Sequence, residues 1–397
     1  METIIKKIDA RNMTDEDFAE AAKLLKEGKL VAFPTETVYG LGGDAFDPTA
    51  SKRIYAAKGR PSDNPLIVHI ADVEELKKLC KDVPQTAYEL AKEFWPGPLT
   101  MIMKKADCIP KETTGGLDTV AIRMPSHPIA KKLIEQSGIP IAAPSANASG
   151  RPSTTKAEHV IEDLNGKIEM IIDGGSSDIG LESTIVDLTC RPVQILRPGY
   201  ITIEMLKKII PDVIYDKAIV THEHSDNIVA RAPGMKYKHY APKGDLTIYE
   251  GEAMNVIKAV CEAAGAKLEQ GYKVGIMTSE EYEGIYKVSL GQYAKRSDAQ
   301  NNLRTDMKWE RDSYGRFVQV PVTEAKNYSD YAGNLSIEVV GSREDEDSVA
   351  RNLFDTLRKF DTDGTAFIFG ECFTDSNLGA AIMNRLVKAA GYNIEKV

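Results

Sequence analysis

Cysteine is scarce: five residues in a chain of 397, at Cys80, Cys108, Cys190, Cys261 and Cys372, scattered and odd in number. That argues against a disulfide framework, and the lack of any C-x-x-C pair argues against a thiolate zinc site. Long apolar runs are also missing, since no segment approaches the ~20 consecutive apolar residues that a membrane span needs. The N-terminus, METIIKKIDARNMTDED, turns acidic before any apolar stretch of signal-peptide length. The expectation is a cytoplasmic protein without a membrane partner. Positive charge is in deficit: 50 Lys and Arg against 59 Asp and Glu leave a net charge of −9. The chain as a whole therefore does not attract nucleic acid, and an RNA contact has to come from a local basic cluster. There is no G-x-x-x-x-G-K-[ST] loop, no G-x-S-x-G elbow and no H-E-x-x-H pair. A nucleoside triphosphate, if bound, is held by something other than a P-loop.

What is present is the composition of a soluble globular protein, 42% hydrophobic and 27% charged, long enough for two or three domains. From residue 14 onward helices alternate with short apolar strands. Strands are expected over 30–33, 66–70, 99–103, 119–124, 140–143, 170–172, 183–188 and 193–196. Asp47-Pro48 opens a helix that Gly59 ends. This is a mixed α/β sheet domain over 1–210. Apolar periodicity fades over 211–244, which reads as a linker, and strand–helix alternation resumes over 245–397 in a second, smaller α/β domain. A polar stretch near 291–335, with Arg296, Arg304, Lys308, Arg311 and Arg316, reads as an insertion or loop.

Several strand ends carry chemistry. Pro34-Thr35-Glu36-Thr37-Val38-Tyr39-Gly40-Leu41-Gly42-Gly43 follows the strand 30–33 and sets two hydroxyls and a carboxylate beside three glycines. Loops at the ends of α/β strands are where such sheets bind ligands. Gly40, Gly42 and Ala45 also fit G-x-G-x-x-A, but no helix opens there, as the dinucleotide fingerprint requires. Lys58 and Arg60 lie in a Gly/Pro-shaped loop and suit phosphate oxygens, although a solvated basic turn has the same composition. Arg123, on an otherwise apolar strand, needs an anion, either a structural carboxylate or one from a substrate. His69 on an apolar strand reads as a core histidine or as a site residue. Ala143-Pro144-Ser145-Ala146-Asn147 and Glu182-Ser183-Thr184 offer small polar groups at strand ends, which are also ordinary turn residues. His222-Glu223-His224 lacks a third well-spaced metal ligand.

Taken together, 34–42, Lys58-Gly59-Arg60-Pro61 with Asn64-Pro65-Leu66, Trp95-Pro96-Gly97-Pro98-Leu99-Thr100, 120–125, 144–147 and Leu196-Arg197-Pro198-Gly199 resemble the YrdC-like threonylcarbamoyl-AMP synthases. The resemblance covers about 15–210. It extends to that family's two-domain branch, with a YrdC-like N-terminal domain and a Rossmann-like C-terminal one. Residues 232–242 resemble the branch's linker, while 350–355 and Ala381-Ile382-Met383-Asn384-Arg385 resemble its C-terminal domain.

The resemblance implies that L-threonine, bicarbonate and ATP, with Mg, give threonylcarbamoyl-AMP and pyrophosphate. The downstream partner is the transferase machinery that modifies tRNA. It assigns threonine to Thr37, His69, Arg123, Ala143 and Ser183. It assigns ATP to Lys58, Arg60, Asn64, Thr119, Ser145, Asn147, Ser153, Arg197 and Tyr237, with Lys58 and Arg60 as the catalytic cations. It names no magnesium ligand. The linker motif is intact, so the expectation is that 233–242 folds over the N-terminal cavity as a lid that shields the intermediate from water. The stretch 291–335 departs from the pattern, being longer and more charged.

Two other functions compete. An RNA-binding module would bring Lys58, Arg60, Lys104, Lys105, Lys111 and Arg123 onto one surface, in the enzyme's case as a weak RNA contact only. Carbamoyl transfer, as in hydrogenase-maturation proteins, comes with acylphosphatase and zinc-finger modules that this chain lacks.

Overall fold

Short apolar segments that must bury both faces become the inner strands of a sheet, and in the computed structural model they assemble into one of 11 strands. Residues 1–220, 231–233, 239–290, 307–311, 317–321, 333–373 and 378–397 are described. The chain divides into two compact units, one of Met1–Tyr240 with Asp375–Arg385, the other of Ala241–Thr374 with Leu386–Val397.

In the first unit the strands are β1 (Ile4–Lys7), β2 (Val31–Phe33), β3 (Gly40–Asp44), β4 (Ile67–His69), β5 (Leu99–Lys104) and β6 (Thr119–Arg123). They continue as β7 (Ile141–Ala142), β8 (Met170–Asp173), β9 (Thr184–Asp187), β10 (Gln194–Arg197) and β11 (Ile214–Tyr215). Their order is β1-β8-β2-β3-β7-β4-β6-β5-β9-β10-β11. Pairing is mixed: β4 runs parallel to β6, while β3 is antiparallel to both β2 and β7. Strand β2 shows why the sheet has two covered faces. Ala32 packs into a core with Leu41, Ile54 and Val68, whereas Val31 and Phe33 enter another with Phe18, Leu25 and Leu133.

Strand β3 is absent from the sequence reading, which took its glycines for a loop. The glycines are there because the sheet leaves no room: a Cβ on Gly42 would stand 2.7 Å from Ile141 Cγ2 and 2.8 Å from Phe33 Cε1. Gly42→Val therefore overpacks the junction of β2, β3 and β7. We expect a loss of about 1 to 3 kcal/mol in chemical denaturation. Unchanged stability would mean that the neighbours give way freely. The helix Pro128–Ser137 and strand β1 were likewise not anticipated.

The second unit holds a five-stranded parallel sheet of β12 (Asp245–Glu250), β13 (Val274–Ser279), β16 (Leu335–Gly341), β17 (Phe367–Glu371) and β18 (Ile394–Lys396). The order is β16-β13-β17-β12-β18. The helices Ala253–Glu269, Glu280–Ser289 and Glu346–Asp363 complete the alternation expected of a Rossmann-like domain. Within the polar stretch 291–335, β14 (Met307–Arg311) and β15 (Phe317–Pro321) form an antiparallel hairpin. Most of the rest of that stretch, Tyr237 and His222-Glu223-His224 lie outside the described residues. None of the five cysteines is in a disulfide. Among the described residues no helix is long and apolar enough to cross a membrane.

Candidate active site

Register places the first two site residues. Strands β4 and β6 pair with His69 opposite Arg123, at the ends of both strands. Arg123 is buried, and its Nη2 lies 2.8 Å from Oε1 of the equally buried Glu36, in the loop between β2 and β3. That answers the question Arg123 raised: the chain supplies a structural carboxylate, one the sequence reading noted in its motif but did not assign. Burial works against an ionised Glu36, and the guanidinium outweighs it, holding the carboxyl below its ordinary value. The pairing is incomplete, however. Among the described residues Nε and Nη2 of Arg123 have no acceptor in hydrogen-bonding geometry, and neither oxygen of Glu36 has a donor in such geometry. Buried donors left in this state are set for a second anion.

His69 is driven the other way. Burial and then the charge of Arg123 push it down to about 3. Its Nδ1 lies 3.1 Å from the carbonyl of Ile67, and the backbone of Ile141 also faces the ring, so the one proton of the neutral imidazole is shared out between two backbone acceptors. His69 thus faces the site uncharged and is a poor general base near pH 7. We expect its ring proton resonances to stay constant between about pH 5 and 8; a titration within that range would contradict the buried, neutral assignment.

The loop 34–39 is tied by Thr35. Its hydroxyl donates to the Val38 carbonyl at 2.6 Å, so the contact at 2.9 Å between the Thr35 and Thr37 hydroxyls has Thr37 as donor. Thr37 Oγ1 then keeps its lone pairs, suited to an incoming ammonium or hydroxyl.

Cations arrive from two other places. The helix Pro48–Lys58 starts on Asp47, whose side chain accepts from the Thr49 amide at 2.7 Å. It ends at Gly59, whose φ of 63° is the left-handed turn that lets Lys58 and Arg60 reach the same hollow. Lys58 Nζ donates to the carbonyl of Ser145 at 2.5 Å and to that of Asn147. Among the described residues Arg60 makes only long contacts, 3.4 Å to the Asn64 carbonyl and 3.3 Å to that of Pro65. From the end of β10, Arg197 donates to Ser183, 3.0 Å to its carbonyl and 3.1 Å to its hydroxyl. Burial lowers both Arg60 and Arg197 to about 10, so both remain charged at neutral pH.

One hollow collects these groups: Thr37, His69, Arg123, Ala143, Lys58, Arg60, Ser145, Asn147 and Arg197 all line it, and the space there that no protein atom fills, open solvent included, is about 660 Å³. Thr35, Tyr39, Glu182, Pro233, His239 and Tyr240 line it too. Four of the sequence-derived residues do not. Ser183 is buried behind Arg197 and bonds to Thr100 at 2.7 Å, and Ser153 donates to Glu182 at 2.5 Å. Asn64 is buried with Oδ1 lacking a hydrogen-bond partner. Thr119 stands at the far end of β6 from Arg123, about 13 Å away at ordinary strand rise. The basic residues named for an RNA face do not converge: Lys58, Arg60 and Arg123 are buried, whereas Lys104 and Lys111 are exposed. Among the described residues no three His, Cys, Asp or Glu side chains cluster as a metal site.

Known proteins extend this picture. The family described as Telomere recombination matches 23–199, and the Threonylcarbamoyl-AMP synthase C-terminal domain matches 201–391. A threonylcarbamoyl-AMP synthase of Pyrococcus abyssi is 44% identical over 382 residues, 95% of this chain and 95% of that one. One of Bacillus subtilis is 44% identical over 384 residues, 96% of this chain and 95% of that one. The crystal structure of P. abyssi Sua5 complexed with L-threonine superposes with a TM-score of 0.82 at 43% identity, covering 100% of both chains. With full-length relatives at this identity, the chain belongs to the threonylcarbamoyl-AMP synthase family.

Proposed function

We infer that the chain is a nucleotidyltransferase that condenses L-threonine, bicarbonate and ATP to threonylcarbamoyl-AMP and pyrophosphate, for threonylcarbamoyladenosine modification of tRNA. The observation that carries this for the chain's own residues is the hollow itself. Among the described residues four cations and a single carboxylate line it, which suits a polyanion beside an amino acid.

For the amino acid end we assign Thr37, His69, Arg123 and Ala143 from the hollow's wall, with Ser183 supporting them through its contact with Arg197. Arg123 takes the threonine carboxylate on its unfilled Nε and Nη2 donors, and Thr37 Oγ1 accepts from the amino acid. Neutral His69 adds bulk without a competing charge. For the nucleotide end we assign Lys58, Arg60, Ser145, Asn147 and Arg197 from the hollow's wall, and Tyr237 as well; Asn64, Thr119 and Ser153, which do not line the hollow, are assigned a supporting place around it. Threonine nitrogen and bicarbonate form a carbamate with loss of water. A carbamate oxygen then bonds to the α-phosphorus as the bond to pyrophosphate breaks. Lys58 and Arg60 stabilise the charge that gathers on the phosphate oxygens, so catalysis rests on positioning and electrostatics, with no protein nucleophile.

Magnesium would come with the nucleotide, and when bound it would screen phosphate charge; Glu182, the carboxylate on the wall, is already paired with Arg385, so no side chain of the hollow is assigned to the ion. The first two hundred residues carry the chemistry. Pro233, His239 and Tyr240 on the hollow's wall support reading 211–244 as a linker that ends in a lid over it. We place the enzyme in the cytoplasm, where its product passes to the transferase machinery acting on tRNA.

Incubation with labelled bicarbonate, threonine and ATP is expected to yield a labelled adenylate only when all three are present, and without RNA. Salt-sensitive RNA binding with no adenylate would favour a binding module instead.

A further inference from the structure

The largest fully buried side chain of the described residues belongs to Arg385. It lies 203 positions from its main partner in sequence, yet in the same compact unit, whose second segment is Asp375–Arg385. Its Nε donates to Glu182 Oε2 at 2.9 Å, its Nη2 to the Glu182 carbonyl at 3.2 Å and its Nη1 to the Pro198 carbonyl at 2.6 Å. The Tyr240 ring lies 6.0 Å from its guanidinium carbon. A full guanidinium buried this deeply needs a reason beyond packing, because a buried ion pair is rarely better for stability than an apolar replacement.

The reason lies in what Arg385 holds. Glu182 is the carboxylate on the wall of the hollow, and its other oxygen, Oε1, accepts from Ser153 at 2.5 Å. The next residue, Ser183, is the one that Arg197 grips through both carbonyl and hydroxyl. Pro198 directly follows Arg197. Arg385 therefore ties together the two short segments, 182–183 and 197–198, on which a threonine residue and a nucleotide residue of the proposed site stand.

Charge points the same way. A carboxylate facing a polyphosphate repels it, and it also competes with that polyphosphate for Arg197. We propose that Arg385 is a positioning residue of the nucleotide site: by occupying Glu182 it removes an opposing negative charge and leaves Arg197 and Arg60 for the phosphates of ATP. Arg385 touches neither substrate and acts through Glu182. This rests on the placement of ATP argued above.

The test compares binding of a non-hydrolysable ATP analogue and of threonine to the full-length protein, by calorimetry, in four forms: wild type, Arg385→Met, Arg385→Lys, and Arg385→Met with Glu182→Gln. With Arg385→Met the bare carboxylate weakens the analogue by at least about tenfold, the scale on which uncompensated buried charges act, and threonine by much less. Adding Glu182→Gln removes that charge and restores most of the analogue affinity. Arg385→Lys keeps the charge and stays within a few-fold of wild type. Parallel losses for both ligands, or no recovery in the double variant, would overturn the proposal and leave Arg385 a packing residue. If Arg385→Met does not fold, Arg385→Lys decides: a tenfold loss there overturns the charge argument. Failure of the functional reading shows separately, as a wild type that makes no adenylate from threonine, bicarbonate and ATP.

Discussion

Arg123→Ala is expected to weaken threonine binding by about 2 to 4 kcal/mol, or ~30- to ~1000-fold in Kd. The size follows from burial. The guanidinium is 4% exposed, its edge donors Nε and Nη2 lack in-line acceptors, and a carboxylate ligand meeting them is screened by protein instead of water. Truncation also strands Glu36, whose carboxyl is held below its usual value by Arg123 against the opposing effect of burial. A group depressed in the folded state stabilises above its unfolded pKa, and that contribution is lost as pH falls through its folded pKa. Without Arg123 burial dominates, Glu36 resists ionising, and stability at neutral pH drops. The double change Arg123→Ala with Glu36→Gln separates the two effects. It should regain stability in thermal melts while threonine stays weak by calorimetry. A folded double variant with wild-type threonine affinity would refute the clamp.

Lys58→Met is expected to lower kcat by ~10²- to ~10³-fold, the usual loss when one fixed donor to developing charge is removed. Without ligand, Nζ is held between the carbonyls of Ser145 and Asn147. Those carbonyls, dipoles and not anions, anchor the ammonium at the hollow. Single-turnover kinetics distinguishes its roles. A fall in the chemical step with threonine affinity nearly unchanged marks transition-state stabilisation. Small and equal losses in both would make Lys58 a tether for the 145–147 loop and nothing more.

The sequence announced most of this hollow because its residues sit in short motifs at strand ends, where local pattern and site coincide. Strand 66–70 and strand 119–124 were each legible as apolar runs, and their parallel pairing is what sets His69 opposite Arg123. Strand β3 was not legible, since glycine is a poor strand former by itself and only the closeness of Phe33 and Ile141 explains it. The partner of Arg123 stood in plain view as Glu36, but a carboxylate in a motif does not say which cation it meets. Arg385 was beyond reach for a related reason. Its partner lies 203 positions away, and no periodicity or spacing connects a helix near the end of the chain to the loop before β9. Thr119 and Arg123 share a strand yet stand at its two ends, so one motif serves two ends of a ligand set.

The most direct measurement is a crystal structure with L-threonine and a non-hydrolysable ATP analogue bound together. The account predicts both ligands in the one hollow, with the amino acid carboxylate on the Arg123 guanidinium and the polyphosphate against Lys58, Arg60 and Arg197. Either ligand bound elsewhere, or a threonine carboxylate turned away from Arg123, would contradict it.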